Sequence, residues 1–377
     1  MARERDRYVD ALRALGVACI VFGHWFSATA WWGPGRVGVG SILSSIPPFW
    51  PATWVFMAVP VMLFVGGFSN FIALSHCLGG RGGYRRFYNR RLRRLLGPVA
   101  FFGGIWIVVE FLSHLLSVGG DRLIRGVDLG GAGPFGPLWF IAVYLIIVMM
   151  SPGLVWLHRR YRIAIPIALC AGCVGVDILR FVGHVPAVAW LNIALAWLLP
   201  HQLGFFYADG SFDRASPKLA AGMCAAGLLG LIVGSSTVYS PTIGYVPGLG
   251  PSNMDPPTTM IVVLSMWQVG LVLLCRGWIV AALGLRAVET IVMKLNAVMM
   301  SVYLWHMTAL LLALLVLKPL GLANSDLLVS QWWSQRPMWL IVAAAILVVV
   351  IRLVGWVERE GAPDVRVTPK AYPLTDA

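Results

Sequence analysis

Apolar runs of roughly 20 residues recur along the whole chain, which is the length an α-helix needs to cross the hydrocarbon layer of a bilayer. They lie near 9–32, 53–76, 95–118, 137–157, 163–182, 186–207, 218–238, 258–277, 296–318 and 337–357. Inside lipid every backbone N–H and C=O must bond within the protein, and a helix does this by itself. Of the 377 residues 59% are hydrophobic and only 12% are charged, which excludes an ordinary soluble domain. The fold expected is all-α: a polytopic transmembrane bundle of about ten helices.

A net charge of +13 raises the question of a nucleic-acid partner, but the distribution of the charges argues against one. With the N-terminus in the cytoplasm, 22 of the 29 Lys and Arg residues fall on the inner side. Only Arg36, Arg122, Arg125, Arg180, Lys318 and Arg336 fall outside, and Arg13 lies within the membrane. That asymmetry is the positive-inside rule and favours an N-in, C-in arrangement. A cleaved signal peptide ending near Ala28-Thr29-Ala30 is the rival reading of the N-terminus. Asp6 and Asp10 in its basic region, and the apolar run continuing through Trp25 and Phe26, speak against it.

Residues 1–357 read as one membrane domain and 358–377 as a polar, disordered cytoplasmic tail. The three longest external connections, 33–52, 119–136 and 239–257, are rich in Gly and Pro, suiting either a lid or simple interfacial connections. The six cysteines suggest no disulfide framework, and the Cys170/Cys173 pair reads as packing rather than as a metal site.

Two groups of residues stand out chemically. Arg13 and His24 are eleven positions apart on the first helix, about three turns, so both point the same way roughly 16 Å apart. Asp10 is placed to pair with Arg13. Polar groups at such depth normally face a bundle interior or wet cavity. Snorkelling of Arg13 to the headgroups and a carbonyl-bonded interior His24 are the plainer readings.

The second group is the segment 79–98, with seven arginines between Arg81 and Arg94 and no lysine. Arginine's planar fork suits phosphate, so Arg90, Arg91 and Arg94 are candidates for a phosphorylated ligand, with anionic-lipid binding as the alternative. Weaker candidates are Glu110 with His114, Asp177 with Arg180, His201 with Gln202 beside Pro200, and Tyr303 with His306 in SVYLWHM. Asn253 and Asp255 in PSNMDPPT read first as turn chemistry and second as an acceptor site.

Taken in order, Arg13-x10-His24, LFVGGFSNF, Arg90-Arg91-x-x-Arg94 before Pro98, PLWFIAVYL and SVYLWHM resemble the acyltransferase-3 family of bacterial integral-membrane acyltransferases over about residues 6 to 357. The resemblance implies a catalytic His24, with Arg13, Arg90, Arg91 and Arg94 engaging an acyl-CoA donor. It also implies transfer of an acetyl or other short acyl group to a hydroxyl of an envelope glycan or glycolipid. A multi-pass protein of the inner (plasma) membrane follows, with no metal and no permanently bound cofactor. No fused SGNH-type esterase domain is visible, so the acyl group is expected to go directly to its acceptor or to a separate partner. Rival readings are a transporter or flippase for an anionic precursor, a non-catalytic scaffold, and an enzyme with an amine acceptor.

Overall fold

In the computed structural model the described residues are 6–33, 36–44, 46–78, 83–115, 133–244, 252–323 and 329–360. The first helix, α1 (Arg7–Ser27), starts where the Asp6 carboxylate accepts the Tyr8 and Val9 amides at 3.0 and 3.2 Å. Such a cap satisfies amides that have no partner in the first turn. The helix stops five residues short of the expected end at 32. Ala28–Gly33 (β1) instead pairs antiparallel with Arg36–Ser41 (β2). Ala28 and Ala30 turn inward at 1% and 2% exposure, the two-residue period of a strand, which is why the apolar run at 28–32 does not extend the helix.

The short α2 (Ala52–Phe56) precedes α3 (Val59–Leu78), and α4 runs unbroken from Gly83 to Leu115. The described arginines of that stretch, Arg85 to Arg94, therefore stand on the first turns of a membrane helix. Then come α5 (Leu138–Tyr161), α6 (Ala164–Phe181), α7 (Asn192–Ala208), the single turn α8 (Ser211–Arg214) and α9 (Pro217–Gly234). Helix α10 (Thr259–Leu274) continues through a 54° bend into α11 (Arg276–Ala282). After α12 (Arg286–Ala297) the chain finishes with α13 (Met299–Leu317), α14 (Val329–Val354) and α15 (Trp356–Glu360). Nine helical stretches among the described residues are long and apolar enough to span a membrane, and the bent pair makes a tenth. The molecule is a polytopic helical bundle.

Small residues let two of these helices touch. A Cβ on Gly67 of α3 would lie 2.0 Å from the His201 carbonyl oxygen, and one on Gly204 of α7 would lie 2.1 Å from that of Phe64. Close backbone approach of this kind is how membrane helices gain packing without a hydrophobic driving force. At the opposite end from the arginines, Asp177 accepts from Asn192 (2.9 Å), Tyr239 (2.9 Å) and the Thr259 amide (2.7 Å). It does not form the expected pair with Arg180, whose guanidinium stacks on Phe181 instead.

The boundary expected at 357/358 falls inside α15. Glu358 is buried, and its carboxylate accepts the amides of Met300 and Ser301 at 3.1 and 3.0 Å, capping the first turn of α13. Residues 361–377 lie outside the described residues.

Candidate functional site

Helix α1 carries an exposed apolar face of Leu15, Ala18 and Phe22, while Arg13 and His24 stand on the opposite side of the wheel. His24 is nevertheless accessible, so it borders an opening on the inner side of its helix rather than packed core. Its Nδ1 lies 2.8 Å from Nε2 of His306 on α13, and the two rings stack at 14° with centroids 5.1 Å apart. At its other nitrogen, His306 Nδ1 lies 2.6 Å from the Tyr303 carbonyl oxygen one turn earlier in α13.

That last contact fixes the protons. A carbonyl only accepts, so His306 Nδ1 carries the hydrogen and, with the ring neutral, Nε2 is a lone pair. His24 Nδ1 must then donate to it, which leaves His24 Nε2 as the unprotonated nitrogen. The whole chain reads His24 Nδ1–H to His306 Nε2, then His306 Nδ1–H to Tyr303 C=O. Trp25 supports it by donating its indole N–H to the His306 carbonyl at 2.9 Å. Tyr303 itself points elsewhere, its hydroxyl donating to the Pro137 carbonyl at 2.6 Å.

Three turns back along α1, Arg13 donates to Asp10 Oδ1 (3.1 Å) and to the Ser69 hydroxyl of α3 (2.9 Å). Arg91 of α4 donates to the carbonyl of the same Ser69. Two guanidiniums therefore converge on one serine, and Arg94 lies within electrostatic reach of Arg13. Asp10 offsets one of these positive charges, and the remainder favours an anion beside them. Arg90 is exposed and lines a surface depression with Arg85, Arg86 and Asn89. At 100° per residue Arg91 turns toward α3, Arg86 and Arg90 share the outer face, and the exposed Arg94 lies between them, about 40° from Arg90.

Next to Ser69, Asn70 donates to His201 Nε2 (3.1 Å) and accepts from the Tyr144 hydroxyl (3.5 Å), extending the polar region toward α5 and α7. Gly66 makes room for the Tyr144 ring, which would stand 2.6 Å from a Cβ there. Gln202, the neighbour of His201, donates instead to His158, which contacts Asp209 at 3.3 Å. Asp209 lies beyond the end of α7. Burial alone would raise its pKa, but the Ser211 hydroxyl and amide hold the carboxyl below its ordinary value.

The remaining candidates lie apart from both clusters. Glu110 sits in the lipid-exposed outer part of α4, and the side chain of its expected partner His114 is outside the described residues. Asn253 is a structural lock, donating to the carbonyls of Ser240 (2.6 Å) and Thr242 (2.7 Å) and accepting from Thr258 (3.0 Å). Asp255 is exposed in the adjacent turn. Among the described residues no group of three His, Cys, Asp or Glu side chains is arranged to hold a metal ion.

Sequence reasoning missed Ser69 and Asn70, which look like ordinary small polar residues until α3 packs against α1 and α4. It also missed the surroundings of Arg336. Counted as an external charge, this residue is 2% exposed and sandwiched between Trp332 and Trp339. The tryptophans at i−4 and i+3 were the available signal.

Comparison with known proteins gives one match. A family model described as an acyltransferase domain, acyltransferase-3, covers residues 6–356 of the chain. No curated protein and no solved structure matches it.

Proposed function

The chain belongs to the acyltransferase-3 family and is a membrane acyltransferase, and on that premise we propose that it moves an acetyl or other short acyl group from acyl-CoA to a hydroxyl of an envelope glycan or glycolipid. His24 acts as general base. The observation that carries this reading is the contact chain from His24 through His306 to the Tyr303 carbonyl, which with both rings neutral leaves Nε2 of an accessible His24 ring unprotonated.

In the reaction His24 Nε2 takes the proton of the acceptor hydroxyl as its oxygen attacks the thioester carbon. Collapse of the tetrahedral intermediate breaks the C–S bond, and the same nitrogen returns the proton to the departing thiolate. His306 keeps Nε2 of His24 aimed at the acceptor and accepts a stronger, charge-assisted bond once His24 is protonated. It plays the orienting part that a carboxylate plays in a serine-hydrolase triad.

Arg13 and Arg91, joined through Ser69, and Arg94 beside them bind the donor's phosphates. The distance of roughly 16 Å from Arg13 to His24 along α1 suits a ligand with its charge at one end and its reactive group at the far end of a slender arm. The charge asymmetry supports an orientation with the arginine end toward the cytoplasm, and the family reading favours a bacterial inner membrane.

The test is to incubate purified protein with labelled acetyl-CoA and an envelope lipid extract, and to identify the product by mass spectrometry. Label in a hydroxyl ester of a glycan or glycolipid, absent with His24→Ala, is the expected result. Wild-type protein that carries an anion across vesicle membranes but never forms an ester would overturn it.

A further inference from the structure

Arg336 has no part in the reaction as described, yet it is bound in an unusual way. Its Nη1 donates to the carbonyl oxygens of Trp25 (3.1 Å) and Ala28 (2.9 Å), which belong to the end of α1 where carbonyls lack helical partners. The indoles of Trp332 and Trp339 cover the guanidinium, their centroids 4.6 and 4.2 Å from its central carbon. These contacts set the plane and position of the group but use one nitrogen of three. Nε and Nη2 are buried and neither meets a hydrogen-bond partner.

Those two nitrogens are one complete edge of the guanidinium. Their N–H bonds run parallel, and that edge matches the two oxygens of a carboxylate or phosphate. A charge buried in a membrane protein with three of its five N–H donors unused is costly, and a helix end needs only one donor to brace it. The unused edge is thus better explained by a ligand than by the brace.

The location supplies the ligand's identity. Trp25, whose carbonyl holds Arg336, follows His24 in sequence and donates its indole N–H to the His306 carbonyl. Ala28 lies one turn beyond His24, about 5 Å along α1 and away from Arg13. An anion at this edge is therefore remote from the arginine cluster and close to the reacting base.

We propose that Arg336 anchors a carboxylate or phosphate of the acceptor about one helical turn from His24, so that the preferred acceptor is an anionic sugar or lipid. The inference rests on the reading of His24 as the base that meets the acceptor.

Binding tests it without any transfer step. Purified protein in uncharged detergent, with no acetyl-CoA present, is titrated at fixed ionic strength with three probes: methyl glucuronide, methyl glucoside 6-phosphate and methyl glucoside. At least one anionic probe binds wild type with a Kd about tenfold or more below the neutral one. The stronger of the two anionic probes tells carboxylate from phosphate. Arg336→Gln removes that advantage and leaves the neutral Kd within about twofold, while Arg336→Lys, which keeps the charge and loses the fork, loses most of it. Equal binding of all three probes by wild type overturns the proposal. So does an anion advantage that survives in Arg336→Gln or is unchanged in Arg336→Lys. Should Arg336→Gln fail to fold, the wild-type and Arg336→Lys titrations still decide. An absence of acyl transfer would sink the functional reading above while leaving these titrations to judge Arg336.

Discussion

Asp10, Arg13 and His24 were legible as one polar face from helical spacing alone, because a rigid α-helix converts sequence interval into geometry. Their partners were not, since they arrive from other helices: Ser69 from α3, Arg91 from α4 and His306 from α13. Of the three arginines grouped by sequence, Arg91 bonds to Ser69, while Arg90 and Arg94 are exposed. Measured kinetics should follow this division. A hydrogen bond to a charged group contributes about 1.5–3 kcal/mol, so Arg13→Gln and Arg91→Gln should each raise KM for acetyl-CoA roughly ten- to hundredfold. Their kcat should fall far less, whereas Arg90→Gln should leave both constants close to wild type. A drop in kcat at unchanged KM for Arg13→Gln would place that residue in the chemical step instead of in donor binding.

At the level of elements, all ten apolar runs became helices, but the strands, breaks and caps were set by tertiary contacts. The end of the first run folded into β1 because pairing with β2 satisfies its backbone. The α3–α7 crossing is the element that holds Ser69 and Asn70 in position. Gly67→Ala would force a methyl group into the His201 carbonyl, a strain of about 1–3 kcal/mol. It should lower Tm in detergent and weaken acetyl-CoA binding together; a wild-type Tm would contradict the packing described.

The Glu358 cap makes a second prediction. Burial raises the pKa of this carboxyl, and the Ser301 and Met300 amides only partly offset it, so its net shift is upward. An acid raised on folding contributes its full stability below its unfolded pKa. That stability is lost as pH rises through the folded value, where ionisation of the buried group is costly. Wild-type Tm should therefore decline across the interval above the ordinary glutamate range, and Glu358→Gln should flatten the decline. Parallel Tm profiles for the two proteins would count against it.

For the whole molecule, ten spans, with the bent α10–α11 pair counted as one, would return the chain to the face on which it began. The charge asymmetry predicts that this face is cytoplasmic, which a membrane-impermeant maleimide in a cysteine-free background tests. Asp255→Cys should label in intact cells and Asn89→Cys only after permeabilisation; the reverse pattern would invert the molecule.

The account brings these scales together in a claim about two histidines. Transfer from labelled acetyl-CoA should be measured for His24→Ala, His306→Ala and the double variant, with Tm checked for each. If the pair works as a unit, His24→Ala abolishes transfer, His306→Ala costs about 10²-fold or more in kcat, and the double variant is no worse than His24→Ala. Wild-type transfer by folded His24→Ala, or losses that simply multiply in the double variant, would contradict it.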